Sequence, residues 1–456
     1  MYDKLRDWTS DRVFKRVLTN STYLIVSNLI SVFITIYITS LLGVYKYGVL
    51  GIITVYVTNV NKLFSFRMNE MIVRFVSVPY EGGDFRLTAA LIKFGGLIEA
   101  VSSLIAFVIL AITARWGTEL FLHDQSLTGY VLFYGLTILT GFAMETANGV
   151  LRVINRYGSI AIVSLLQNLL IAAIVLYAAA TGGGLNAILT AYFIGKVILG
   201  LAPVLLNLIW LPKLIGSGWW KAPISLIQNK KEILRFTVST NISNTINLVA
   251  RDGEILWVGA FLSPQYAGYY KTAMTVINMV LMPINPLIDT TYIEMMRAIA
   301  KRNWELLQRL LKKITTISFV WTTSAYLGLI LLGKQLLFTE WYLFGRAFHV
   351  FSAEYLPAYP IILILMVGYG IANVLFWNRT LLLSFSKADT ATWISFGGMM
   401  LKVLGSLFLL SWMPYYTEAI LMSLYLAGTV LLMTIIGLSH FRSVIQAERS
   451  AGNLIK

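Results

Sequence analysis

Arg251, Asp252 and Glu254 stand within four residues of one another inside a long apolar run, and Glu99, Lys196 and Lys402 lie near the middle of others. Lys271 and Lys62 sit closer to run ends. Ionisable groups in apolar helices are costly and usually face a partner or a cavity. Arg251, Lys271, Lys196, Lys402 and Lys62 could form a cationic cavity that compensates an anion, Arg as a bidentate fork and Lys as a point charge. Glu99, Asp252 and Glu254 could carry a coupling ion, a proton or Na⁺, by changing partners between states. The same residues also admit a structural reading as ion pairs linking helices. At helical spacing Arg251 and Glu254 share a face, which leaves Asp252 for Lys271 or Lys402. Lys93, near a run end, can snorkel to the interface. Glu145, beside Thr146 and Asn148, reads as a polar helix contact, and Asp289 lies near a run end.

Other chemistries find no residues. The chain has no cysteine, which removes disulfides, thiolate metal sites and thiol catalysis. Its three histidines recur at no metal-ligand spacing, no nucleophile–base set stands out, and no GxxxxGK[ST] loop is present. No bound cofactor or metal is expected, and the chain does not read as an enzyme.

The elements that must position these charges are membrane helices. Of 456 residues, 57% are hydrophobic and only 12% charged, about half the charge of a soluble domain. The apolar residues fall in blocks of about 20, the length that crosses a hydrocarbon core as an α-helix. They lack the strand alternation of a membrane barrel. Twelve spans are expected near 17–42, 47–66, 88–113, 128–149, 159–180, 187–211, 236–262, 266–290, 312–333, 357–380, 390–411 and 418–438. The net charge of +15 sorts by loop rather than forming one patch, which argues against nucleic acid. The N-terminal stretch and the even-numbered loops hold most of the Lys and Arg, among them Arg67, Arg74, Arg86, Arg152, Arg156, Lys230, Lys231, Arg297 and Arg309. The positive-inside rule therefore places both termini in the cytosol.

The expected organisation is an N-terminal segment (1–16), a first lobe of six spans (17–212), a cytosolic connection (213–235), a second lobe (236–440) and a cytosolic tail (441–456). Around Trp8, Val13 and Phe14 the first segment reads as an interfacial helix or as a solvated tail. Six is an even number, so any repeat between lobes runs parallel. Two short echoes support one. SLLGVYKYGVLGI from Ser40 answers AFLSPQYAGYYKT from Ala260, and LRVINRYGSIAIV from Leu151 answers LLLSFSKADTATW from Leu381.

These features resemble a known family. The Leu42-Gly43…Tyr47-Gly48 turn, the phrase RDGEILWVGAFLSPQYAGYYKTAMTVINMV and the stretch SAEYLPAYPIILIL are similar to the polysaccharide-flippase branch of the multidrug/oligosaccharidyl-lipid/polysaccharide exporter superfamily. Asp252, Gly259, Gly268 and Tyr269 carry the motif positions. The resemblance implies an all-α fold of two six-helix lobes with pseudo-twofold symmetry and alternating access. It implies a polyprenyl-diphosphate-linked saccharide as substrate, moved between leaflets of a plasma (inner) membrane for cell-surface polysaccharide assembly. Membrane lipids and other polysaccharide-assembly proteins would be the partners. In that setting the cationic cavity would hold the diphosphate, with Arg251 first, then Lys271 and Lys196. The nearest rival is a cation-coupled multidrug exporter of the same superfamily, which the mid-depth cations and a carboxylate-free first span disfavour. A membrane glycan polymerase or ligase would need a larger outer loop than 334–356, whose aromatics read as an interfacial belt or a sugar-stacking surface.

Overall fold

The structure, a computed structural model, describes residues 12–343 and 346–453, so most of the expected N-terminal segment 1–16 lies outside the described residues. Nine helical stretches among the described residues are individually long and apolar enough to cross a membrane. One of them, within α1 (Arg12–Phe64), is divided by Gly43, whose positive φ of 68° breaks the helix at the expected turn between spans one and two. Spans seven and eight are not among the nine because their helices carry more polar residues, and each is also interrupted. Span seven is α8 (Lys230–Asn247), a π-helical turn (Leu248–Asp252) and α9 (Glu254–Phe261). Span eight is α10 (Pro264–Leu281) and α11 (Asn285–Ala300). With these the described residues form twelve spans, and the chain divides into two compact units whose sequence boundary falls between Thr245 and Ile246, inside span seven.

In the first unit α1 is followed by α2 (Met68–Glu81), α3 (Phe85–Leu122), α4 (Thr128–Thr140), α5 (Met144–Val153), α6 (Tyr157–Ala180) and α7 (Leu185–Ile215). The second unit continues through α9, α10 and α11 to α12 (Trp304–Phe338), α13 (Ala358–Val374), α14 (Asn378–Ser384), α15 (Ala388–Leu409) and α16 (Thr417–Asn453). Each set of six spans uses the same local devices. The third span of each begins at a side-chain N-cap. Asp84 accepts from the Leu87 N–H and Asn303 from the Leu306 N–H, both at 3.0 Å. Each cap follows a left-handed residue, Gly83 or Arg302, and a backbone bond of 2.9 Å, Asp84 to Pro79 or Asn303 to Ala298. The fourth span of each unit is broken, between α4 and α5 and between α13 and α14. The turn into the fifth span repeats as well, with left-handed Asn155 and Ser386. There Arg156 donates to the Leu151 carbonyl and Lys387 to that of Leu382.

Four parts of the chain differ from the sequence-based expectation. Residues 68–81, expected as loop, form α2. Its buried Met68, Met71, Ile72 and Val76 pack against Leu91, Val150 and Leu211. This helix spans less than a bilayer and was hidden by the basic residues that flank it. Span seven starts near Lys230, inside the expected connection. The stretch after α12 is a two-stranded hairpin, β1 (Trp341–Leu343) with β2 (Arg346–Phe348), rather than an open loop. Finally, α16 runs on to Asn453 through the expected tail.

Close helix contacts depend on small residues, as expected where lipid offers no hydrophobic drive for association. A Cβ on Gly368 of α13 would come 2.4 Å from the Ser423 Cα of α16, and Ser423 Oγ donates to the Ile364 carbonyl at 2.6 Å. Side chains such as Trp393, Leu401 and Phe408 of α15 point outward and remain exposed.

Candidate functional site

Each unit carries its own intramembrane polar cluster. In the first, Glu99 lies four turns into α3 and is buried. Its two carboxylate oxygens accept from the N–H groups of Glu145 and Thr146 at 2.7 and 2.8 Å. Those amides are orphan donors of the first turn of α5, exposed because the fourth span breaks at Gly141–Ala143. An anion there also meets the positive end of the α5 dipole. Glu145 itself accepts from Ser65 Oγ at 2.9 Å, the polar helix contact expected for it. Ser65 and Leu63 carbonyls take the Asn241 amide.

Glu99, Ser102, Ser103, Glu145, Ser65 and Lys196 line a cavity of about 90 Å³, room for several waters at about 10–15 Å³ each. Lys196 is exposed although it sits near the middle of α7. Lys62, half-buried in the last turn of α1, lies within electrostatic reach of it. The structure thus brings together two of the five proposed cations in the first unit, beside Glu99. Glu99→Ala would strand two buried N–H groups at about 1–3 kcal/mol each at most. The expected outcome is a lower melting temperature and faster amide exchange at Glu145 and Thr146, with Glu99→Gln intermediate because its single carbonyl oxygen replaces only one acceptor.

In the second unit the decisive feature is the π-helical turn Leu248–Asp252 in span seven. Such turns concentrate at functional positions and shift the register of everything beyond them. The regular 100° step assumed between Arg251 and Glu254 therefore does not hold, and the expected pairing of these two residues is corrected. Arg251 is exposed and lies over the Tyr369 ring of α13, its Cζ 5.4 Å from the centroid. Glu254 turns inward and is 2% exposed. Asp252 is half-buried beside them, and Lys271 is half-buried on α10.

Lys402 requires a second correction. It does not stand as an available cavity cation: at 3% exposure its Nζ is 2.7 Å from Glu418 Oε1 and 3.7 Å from Glu254 Oε1. Charge this deep must be compensated locally, and two carboxylates compensate it. Glu418 is wholly buried and also accepts from Ser406 Oγ at 2.8 Å. Sequence reading missed Glu418 because it falls on the first turn of α16, where a carboxylate reads as a solvated span end. The available signal was the absence of any other acid near Lys402 on α15 or α16. A second feature passed over is the run Thr237-Val-Ser-Thr-Asn-Ile-Ser-Asn-Thr-Ile-Asn247, a hydroxyl- and amide-rich segment in a span.

Twelve spans, several of them interrupted, with local devices repeated between the two halves are the fold of the multidrug/oligosaccharidyl-lipid/polysaccharide exporters. A multidrug resistance MATE transporter in its inward-facing conformation superimposes with a TM-score of 0.74, over 92% of this chain and 96% of that one, at 10% identity. The lipid II flippase MurJ, in an inward closed conformation, gives 0.69 over 94% and 93% at 13% identity. The chain belongs to the polysaccharide biosynthesis protein family, whose family model matches residues 37–343. It is also 23% identical over 317 residues to the inner membrane protein YghQ of Escherichia coli (strain K12), covering 64% of this chain and 84% of that protein. It is a multi-pass membrane protein of that family.

Proposed function

We propose that this protein moves a polyprenyl-diphosphate-linked saccharide from the inner to the outer leaflet by alternating access, with both termini in the cytosol. The observation that carries the reading is the pair of exposed cations at mid-span positions, Lys196 in the first unit and Arg251 in the second. An exposed charge at that depth is tolerated where it meets water or a ligand rather than hydrocarbon. A diphosphate is the anion that a lipid-linked sugar offers there, and Arg251 is the group suited to hold it through two parallel hydrogen bonds. Lys62 adds to the same electrostatic bias. Family membership and the basic-loop asymmetry support the same reading.

A drug exporter for organic cations would work against this charge. Reconstitution in liposomes with a fluorescent polyprenyl-diphosphate sugar tests the proposal directly. The expected result is faster access of an impermeant quencher to the lipid than in protein-free vesicles. No acceleration across several such lipids, together with ion-driven efflux of an organic cation, would refute it.

A further inference from the structure

Glu254 and Glu418 enclose Lys402 in a compartment where all three side chains are at most 3% exposed. Two carboxylates against one ammonium leave an excess negative charge. The charged groups around it lie nearer water: Arg251 is exposed, and Asp252 and Arg379 are half-buried. Arg251 acts directly on Glu254 and has Asp252 beside it. Tyr270 of α10 and Tyr369 of α13 face Glu254, and Tyr425 of α16 faces Lys402. These phenols are neutral. Arg379 of α14 acts on Tyr425. An uncompensated charge at this depth is prohibitively costly, so the group neutralises instead.

The hydrogen bonding points the same way. Glu418 has the Ser406 hydroxyl at 2.8 Å and the Lys402 ammonium at 2.7 Å, whereas Glu254 has the Tyr270 hydroxyl and the same ammonium only at 3.7 Å. The carboxylate with the weaker hold on the ammonium is the one that gains most from an O–H of its own, and as an acid it can donate to a phenol oxygen.

We infer that the Glu254–Lys402–Glu418 cluster binds one exchangeable proton and is the coupling site of the transporter. The inference rests on the proposed transport reading for its role, though not for the proton itself. Uptake forms one carboxyl O–H bond and takes the cluster from one net negative charge to none. Release returns the proton to water and restores the charge. The sign follows: the site is filled at low pH and empties as pH rises. Lys402 selects a proton over Na⁺, because its ammonium already occupies the space between the carboxylates and repels a second cation, whereas a proton needs only one oxygen.

The site is also placed where movement of span seven would act on it. Glu254 follows the π-helical turn by one residue, while its partners sit on α15 and α16. A change at that turn shifts Glu254 relative to Lys402 and alters the charge balance that retains the proton.

The test is infrared difference spectroscopy of the full-length protein in lipid nanodiscs between mildly acid and mildly alkaline pH. The wild type is expected to show a buried carboxylic-acid C=O band that shifts in D₂O. Glu254→Gln and Glu418→Gln should each abolish it, since either leaves one carboxylate balanced by Lys402, while Asp252→Asn retains it. Persistence of the band in both Gln variants, or its absence from the wild type, overturns the inference. In liposomes an imposed proton gradient should accelerate wild-type lipid flipping several-fold, and both Gln variants should lose that acceleration. Flipping driven by Na⁺ and indifferent to protons would overturn the coupling site while leaving the transport function standing. Absence of any lipid flipping would refute the transport function, and the infrared band would still decide the proton site.

Discussion

Lys402→Met is expected to destabilise the protein by about 3–5 kcal/mol, the usual cost of removing one partner of a buried ion pair. The reason is asymmetric. Lys402 compensates two carboxylates at once, at 2.7 and 3.7 Å, and Met restores the volume but not the charge. Glu418 then faces Glu254 without the ammonium, keeping the Ser406 hydroxyl as a donor. Thermal unfolding in detergent, followed by intrinsic tryptophan fluorescence, should show a drop in apparent midpoint on the order of 10 °C. The double variant Lys402→Met/Glu418→Gln should recover most of the loss, because a neutral replacement of the pair is far less costly than a stranded charge. If Lys402→Met unfolds with the wild type, the cluster does not carry the burden assigned to it.

Arg251→Ala and Lys196→Ala should each slow flipping of a polyprenyl-diphosphate sugar about ten- to hundredfold without a comparable loss of stability. A hydrogen bond to a charged group contributes about 1.5–3 kcal/mol, and each 1.36 kcal/mol is about tenfold in rate. Both side chains are exposed, so truncation strands no buried charge, and Arg251→Ala gives up in addition only its contact with Tyr369. That separates them from Lys402, whose loss should register first in stability. Arg251→Lys is the informative control: it keeps the charge but removes the fork, and partial retention would assign the remainder to bidentate geometry. Flipping at the wild-type rate in both Ala variants would remove these cations from the transport path.

The intramembrane charges divide by how their roles can be read. Glu145 beside Thr146 and Asn148 reads as a polar contact from neighbours alone, and Ser65 supplies it. Glu99 was legible as an intramembrane acid, but not as the cap of a helix that starts 45 residues later, since nothing local marks the break in span four. The Arg251–Glu254 pairing failed because helical spacing was applied across a π-helical turn, whose extra residue per turn leaves no compositional trace.

Hydrophobic block length determined the twelve spans, the all-helical class and the turn at Gly43, because a bilayer requires every backbone group to be satisfied within its own segment. Loop charge gave the expected sidedness, and the recurrence of short turn motifs one half-length apart pointed to two six-span halves. These are properties of segments, and a segment carries them alone. Which intramembrane charges are exposed and which are neutralised is a property of side chains brought together from distant helices. Lys402 and Glu418 are 16 residues apart across a turn, and Glu254 reaches them from span seven. Only tertiary packing decided that Lys402 is compensated twice over while Arg251 and Lys196 stay exposed, because desolvation and ion pairing depend on what surrounds a charge.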